Sequence, residues 1–198
     1  MPTVLVILIG YLVGSIPFGY LVGKGYGKDI RDHGSGNIGT TNAFRLLGPV
    51  WAVIVLLLDA GKGYFACYLA AQLNLPLEAV AGSGLAAVAG HNWSLFLGFK
   101  GGKGAATTAG IYLYMSPAVV SIGLGVAALT VIVTRYMSLG SMLGVIAGAL
   151  IVQFGPHPLP YKLAGVVVVA WSLWQHRGNI DRLRRGQERK LGSKKREE

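Results

Sequence analysis

The stretch FKGGKGAATT, Phe99 to Thr108, has the residue types of a loop that holds a phosphate. Gly101, Gly102 and Gly104 let backbone N–H groups approach an anion, and Lys103 adds a positive charge. A helix beginning after Gly104 would aim its free N–H groups the same way. The loop is not a nucleotide loop: GxxxxGK[ST] needs glycine where Leu97 stands and Ser or Thr where Gly104 stands, so an ATPase is excluded. Lys103, between two glycines at a helix start, is expected to reach the phosphate; Lys100 is expected to touch lipid headgroups.

Three further constellations carry chemistry. In HGSGNIGTTNAFRLLG, His33 to Gly48, the glycines again allow close backbone approach. Ser35 or Asn37 is expected to cap a helix starting near Ile38, on which Asn42 and Arg45, three apart, share a face. In LLLDAGKGYF, Asp59 and Lys62 lie inside an apolar run. A charge at a bilayer centre costs about 2.5–3.5 kcal/mol, so the two should face each other or a polar cavity, supporting a site rather than reacting. His91, at the end of the next apolar run, reads as a hydrogen-bonding helix residue. In WQHRGNIDRLRRGQERKLGSKK, Trp171 and Trp174 suit a membrane interface. The segment Lys190 to Arg196 reads as an anchor for anionic lipid, and His176 and Asn179 sit where the last apolar run ends. The pair His176 and Asp181 forms a literal His-x-x-x-x-Asp, a pattern short enough to arise by chance.

The elements that must position these groups are apolar helices. The chain has 198 residues, 53% hydrophobic and 13% charged, where a soluble domain has about a quarter charged. The spans expected are Thr3–Gly23, Pro49–Gln72, Leu77 to about Leu97, Ala105–Met115, Pro117–Val133, Leu139–Phe154 and Tyr161–Trp174. Pro117 divides the run from Ala105 to Val133, leaving a fourth segment of about 16 Å, short for a full crossing. The first span has no basic residue before it and Lys24, Lys28 and Arg31 after it, so it is a retained span and not a cleaved signal. With seven crossings and the N-terminus outside, all three polar clusters and the basic 188–198 tail fall on the cytoplasmic side, and Lys162 alone falls outside. The expectation is therefore an all-α polytopic membrane protein of about seven transmembrane helices, a single domain over 1–198. The single Cys67 excludes an intrachain disulfide framework and reads as a small buried hydrophobe. The net charge of +10 speaks to orientation and anionic partners, and no nucleic-acid partner is expected.

In combination, the clusters resemble the bacterial acyl-phosphate-dependent glycerol-3-phosphate acyltransferases, a family of small integral membrane enzymes. The resemblance covers nearly the whole chain. It rests on GSGNxGxTNxxRxxG at Gly34–Gly48, DxxKG at Asp59–Gly63, GHxxxxFxxFKGGKGxAT at Gly90–Thr107 and HRxNIxRLxxGxExK at His176–Lys190. Ile38 and Ser94 stand where the family often has proline, and Ala105 where valine is common. The resemblance implies transfer of a fatty acyl group from acyl phosphate to the sn-1 hydroxyl of glycerol 3-phosphate, giving lysophosphatidic acid and phosphate, in the cytoplasmic membrane. It implies catalytic roles for Ser35, Lys103 and His176. Substrate-binding roles fall to Gly36, Asn37, Gly39, Thr41, Asn42, Arg45, Gly101, Gly102, Gly104, Asn179 and Glu188, with Asp59, Lys62 and His91 in support. The residue chemistry agrees. Two phosphate substrates bring about four negative charges, which cationic glycine-rich clusters can neutralise. An acyl phosphate is already activated, so the chain needs no covalent nucleophile, metal or nucleotide. The proton acceptor is either a phosphate oxygen of the donor or His176. The main rival is a phosphate-ester transporter, disfavoured by outer turns bare of charge and the lack of a repeat. A scaffold binding anionic lipid would explain the tail but not Asp59, Lys62 or the glycines.

Overall fold

The computed structural model describes residues 1–193. Among them there are ten α-helices, two 3-10 turns and no strand. The helices are α1 (Pro2–Ser15), α2 (Phe18–Gly25), α3 (Thr40–Leu47), α4 (Pro49–Gln72), α5 (Leu77–Asn92), α6 (Ala105–Met115), α7 (Pro117–Thr134), α8 (Met137–Phe154), α9 (Leu159–Gln175) and α10 (Arg177–Arg184). Four stretches are long and apolar enough to cross a membrane: Pro2–Gly25, Pro49–Gln72, Pro117–Thr134 and Met137–Phe154.

Three boundaries differ from the sequence expectation. The first span is broken, because Pro17 lacks an N–H and Ile16 is extended (ψ 116°). The break frees two buried carbonyls, which cannot stay unpaired in an apolar surround. Lys62 Nζ donates to Ile16 O at 3.0 Å, and Ser94 Oγ donates to Ser15 O at 2.6 Å. The break is thus one reason a lysine stands inside α4. The third helix stops at Asn92, not near Leu97. From Ser94 the chain turns back, with Phe99 N donating to Ser94 O at 2.7 Å, and this return brings Gly102 N within 2.8 Å of His91 O. Finally, α3 starts at Thr40, not Ile38, with Gly39 at its N-cap. Neither Ser35 nor Asn37 caps it; Asn37 Oδ1 instead accepts from Gly39 N at 2.9 Å, closing a turn before the helix. The break at Ser116–Pro117 stands as expected, with Ser116 Oγ capping α7 through Ala118 N.

Small residues bring the helices together, as they do where lipid offers no hydrophobic drive. A methyl added to Gly110 of α6 would overlap the Ala60 carbonyl of α4, and one on Gly144 of α8 would lie 2.7 Å from the Gly123 carbonyl of α7. α1 packs on α5, α4 on α5 and α6, and α7 on α8. α6 lies between α4 and α7, which share no extensive contact. The short α6 therefore leaves a cleft between its two long neighbours. Cys67 is buried in the core with Val80 and Ile111, as its apolar setting implied.

Candidate active site

The three polar clusters meet at one end of the bundle. Ser35, Asn37, Gly39, Thr41, Asn42 and Arg45 from the loop before α3 and from α3 itself share a cavity of about 240 Å³ with Lys103 and Gly104, Asp59 and His91, and His176, Asn179 and Glu188. Gly36 faces a polar vestibule on the other side of Ser35, Lys103 and Asn179.

The loop holding Ser35 is set by Asn42, which is 1% exposed. Its Oδ1 accepts from Ser35 N at 3.0 Å, and its Nδ2 donates to Ile30 O and His33 O, both at 2.9 Å. Gly34, at φ +63°, passes so close to the Asn42 amide that a Cβ there would overlap it. Asn42 thus organises the loop, leaving Arg45, one turn on, as the side chain of that face that reaches the cavity. Arg45 has no carboxylate partner or hydrogen bond among the described residues and is free to meet an anion.

The second loop rests on the buried charges. Asp59 Oδ1 lies 2.8 Å from Lys62 Nζ and 3.5 Å from His91 Nδ1, with all three side chains at most 3% exposed. The His91 ring fills the space beside Gly102 that a side chain would need, and the His91 carbonyl holds Gly102 N. Asp59, Lys62 and His91 are therefore a platform under the glycines. Gly104 adopts φ +77° as the N-cap of α6, beside the buried amide of Asn92, where a Cβ would come 2.7 Å from Oδ1. This turn points Lys103 into the cavity, against Asn179 Oδ1, which accepts from its ammonium. Lys100 is exposed. Burial, and repulsion from Arg182 and Arg45, lower the Lys103 ammonium to about 8, against a raising influence from Glu188.

His176 follows α9 directly. Its Nδ1 lies 2.8 Å from the Ser172 carbonyl, an acceptor only, so Nδ1 carries the hydrogen and Nε2 the lone pair. Burial and the nearby Lys103 charge lower its imidazole to about 4. It is neutral at pH 7, and Nε2 has no protein partner among the described residues. Glu188 directs its oxygens to the protein: Oε1 accepts from Ser138 Oγ and Asn179 Nδ2, both at 2.6 Å, and Oε2 from Arg182 Nε at 2.8 Å. Burial opposes its charge, yet these donors hold the carboxyl below its ordinary value. Ser138 had no signal in the sequence, and Arg182 stood in the fourth motif without an expected role; their link to Glu188 spans helices. Asp181 is exposed and makes no contact with His176, so the literal His-Asp pattern is incidental.

Below the charged end the cavity becomes apolar, lined by Leu56 of α4, Ala109 and Tyr112 of α6, Leu124 of α7, and Gly144 and Val145 of α8. Tyr112 forms its floor, its hydroxyl donating to Val145 O at 2.9 Å. Leu124 is half exposed on the bundle's side, where α4 and α7 stand apart. One end of the cavity thus suits phosphates and the other a hydrocarbon chain entering sideways.

Known proteins are similar to this chain over nearly its whole length. A family model described as glycerol-3-phosphate acyltransferase matches residues 4–186. A glycerol-3-phosphate acyltransferase of Desulforamulus reducens is 46% identical over 98% of this chain and 97% of its own. One of Halalkalibacterium halodurans is 43% identical over 96% of each. Among solved structures, PlsY (YgiH), described as an integral membrane glycerol 3-phosphate acyltransferase, superposes in its glycerol 3-phosphate form with a TM-score of 0.93. It is 35% identical, over 97% of this chain and 96% of that one. Its lysophosphatidic acid form superposes at 0.91. A family model over residues 4–186, together with relatives and a solved structure that cover nearly the whole chain, leaves one assignment: this membrane protein belongs to the glycerol-3-phosphate acyltransferase family.

Proposed function

We propose that the chain transfers a fatty acyl group from acyl phosphate to the sn-1 hydroxyl of glycerol 3-phosphate, releasing lysophosphatidic acid and inorganic phosphate. The observation that carries this reading is the single cavity with unpaired cations at one end and a lateral apolar cleft at the other. Glycerol 3-phosphate acylation follows from the family; the acyl phosphate donor is what the resemblance of the four motifs implies, and the two anion-suited loops support it.

In this reading the acyl chain lies in the cleft above Tyr112. Ser35, the N–H of Asn37, and Lys103 with Gly104 hold the donor phosphate and the developing oxyanion, while Gly36 and Gly102, whose N–H groups donate to His33 O and His91 O, and Gly101, packed on the His91 carbonyl, shape the two loops. Arg45, Thr41, His176 and Asn179 hold glycerol 3-phosphate. Asn42 and Gly39 shape the first loop, and Asp59, Lys62 and His91 the second. Glu188 acts through Asn179 and not on a phosphate, which its charge would repel. The hydroxyl oxygen attacks the acyl carbonyl carbon while Nε2 of His176 takes the hydroxyl proton. The bond from that carbon to the phosphate oxygen then breaks, and phosphate leaves with the proton. The whole chain works as one domain with seven crossings, N-terminus outside and site facing the cytoplasm of a bacterial cell. Support comes from the basic residues gathered around the site, against Lys162 on the first turn of α9 at the other end. Of the basic tail, residues 194–198 lie outside the described residues.

Purified protein should release phosphate from acyl phosphate only when glycerol 3-phosphate is present. Arg45→Ala should raise the KM for glycerol 3-phosphate, by about tenfold or more for a lost charged contact of roughly 1.5–3 kcal/mol. His176→Ala should cut kcat by about 10²-fold. Normal kinetics in both variants would overturn the assignment.

The pH dependence follows from two groups. Lys103 must be protonated and His176 neutral. kcat/KM should therefore fall above about pH 8, as Lys103 loses its proton, and below about pH 4, as His176 gains one. A profile flat from pH 7 to 10 would remove Lys103 from the site.

A further inference from the structure

The start of the basic tail reads as a lipid anchor in the sequence, but in the fold it meets the turn between α7 and α8. Leu191 N donates to Arg135 O at 2.7 Å. In return, Arg135 Nη2 and Nε donate to Leu191 O at 2.7 and 3.2 Å. Lys190 Nζ lies over the Tyr136 ring, 5.6 Å from its centre. Arg189 Nη1 reaches Gly34 O at 3.4 Å, on the loop that carries Ser35. Residues 186–193 thus form a strap across the mouth of the cavity, starting from the turn at Gly186 (φ +66°) and clipped to the α7–α8 turn by Arg135.

The middle of the strap is Glu188. Its Oε1 accepts from Asn179 Nδ2, which fixes which way the amide faces. Only in that orientation does Asn179 Oδ1 face the Lys103 ammonium. The backbone at Arg135 makes the residue choice telling. It ends α7 at φ +62°, ψ 13°, the left-handed conformation in which glycine is the usual residue. An arginine there works against its own backbone, and both its guanidinium nitrogens named above go to the strap.

We propose that Arg135 is a positioning residue for acyl transfer. It clips the strap through Leu191, so that Glu188 holds the Asn179 amide in the orientation that receives Lys103. This inference rests on the acyltransfer reading above, and its test separates the two.

Arg135→Gly suits the backbone and should melt no lower than the wild type, yet its kcat/KM for glycerol 3-phosphate should fall about 3- to 30-fold, the usual range for residues acting at one remove. A chain ending after Arg189 keeps Glu188 but lacks Leu191, whose N–H bond to Arg135 O survives in Arg135→Gly, and the Lys190 contact with Tyr136, so it should lose at least as much. Adding Arg135→Gly to the truncation should lose no more than the truncation alone, because the guanidinium then has no Leu191 to hold. Arg135→Lys, which can still donate to Leu191 O, should recover part of the rate. The losses should be equal in vesicles of neutral and of anionic lipid. Wild-type kinetics in Arg135→Gly, additive losses, or a loss confined to anionic vesicles would overturn the proposal, the last by showing a lipid contact instead. A wild-type chain that fails to turn over acyl phosphate would instead overturn the acyltransfer reading.

Discussion

Lys103→Ala should lower kcat by about 10²–10³-fold, the cost of losing one preorganised donor to developing charge. The ammonium is held half-buried at the cavity wall by Asn179, and burial has already lowered its proton affinity to about 8. A group in that state gains much on meeting a phosphate dianion, since the anion restores the charge that burial disfavours. Lys103→Arg should not rescue the rate, because a planar fork needs more room than the glycine-flanked turn supplies. Lys100→Ala, three residues away and exposed, should stay within about twofold of the wild type, as surface changes usually do. Phosphate release at saturating substrates measures all three. Lys103→Ala retaining a tenth of the rate would remove the lysine from the chemistry.

The second large effect concerns stability. Lys62→Met should destabilise the fold by about 3–5 kcal/mol, because it strands the Asp59 carboxylate in the bundle. Asp59→Leu combined with Lys62→Met should recover most of that loss, since a buried pair replaced by apolar groups is often neutral. A deficit of about 1–3 kcal/mol should remain, as the Ile16 carbonyl exposed by the Pro17 break has lost its donor. Thermal melts in detergent resolve the order: wild type highest, double variant between, single variant lowest. A single variant that melts with the wild type would mean the pair carries no such strain of charge.

Much of this was readable in the sequence. Asp59 and Lys62, three apart in an apolar run, had to face each other or a polar cavity; they pair at 2.8 Å, and Asp59 also lines the cavity. The Ser116–Pro117 break and the loop from Gly98 to Gly104 follow from backbone chemistry alone. What could not be read depended on partners distant along the chain. Pro17 is visible as a helix breaker, but nothing local says that Lys62, 45 residues on, would satisfy the carbonyl it frees. The third helix looks apolar to Leu97 and stops at Asn92, because the returning loop must place Gly102 against His91. Asn42 matches a substrate-binding motif yet has its amide bound to three backbone groups of one loop. Glu188 is marked by the fourth motif as substrate-binding, but as an acidic residue at the start of a basic tail it gives no sign of its partners. Its meeting with Ser138, Asn179 and Arg182 exists only once α8, α10 and the strap converge.

The cleft between α4 and α7 has a consequence for how the rate must be measured. On the acyl-transfer reading proposed above, its open side, past half-exposed Leu124, admits a long-chain donor that diffuses in the plane of the bilayer and not through water. What the enzyme senses is then the mole fraction of donor in its own lipid. Adding empty lipid to a vesicle dilutes the donor and slows turnover; adding buffer does not. Glycerol 3-phosphate, which comes from the aqueous side, obeys an ordinary molar concentration, so the two substrates of one reaction are counted in different dimensions.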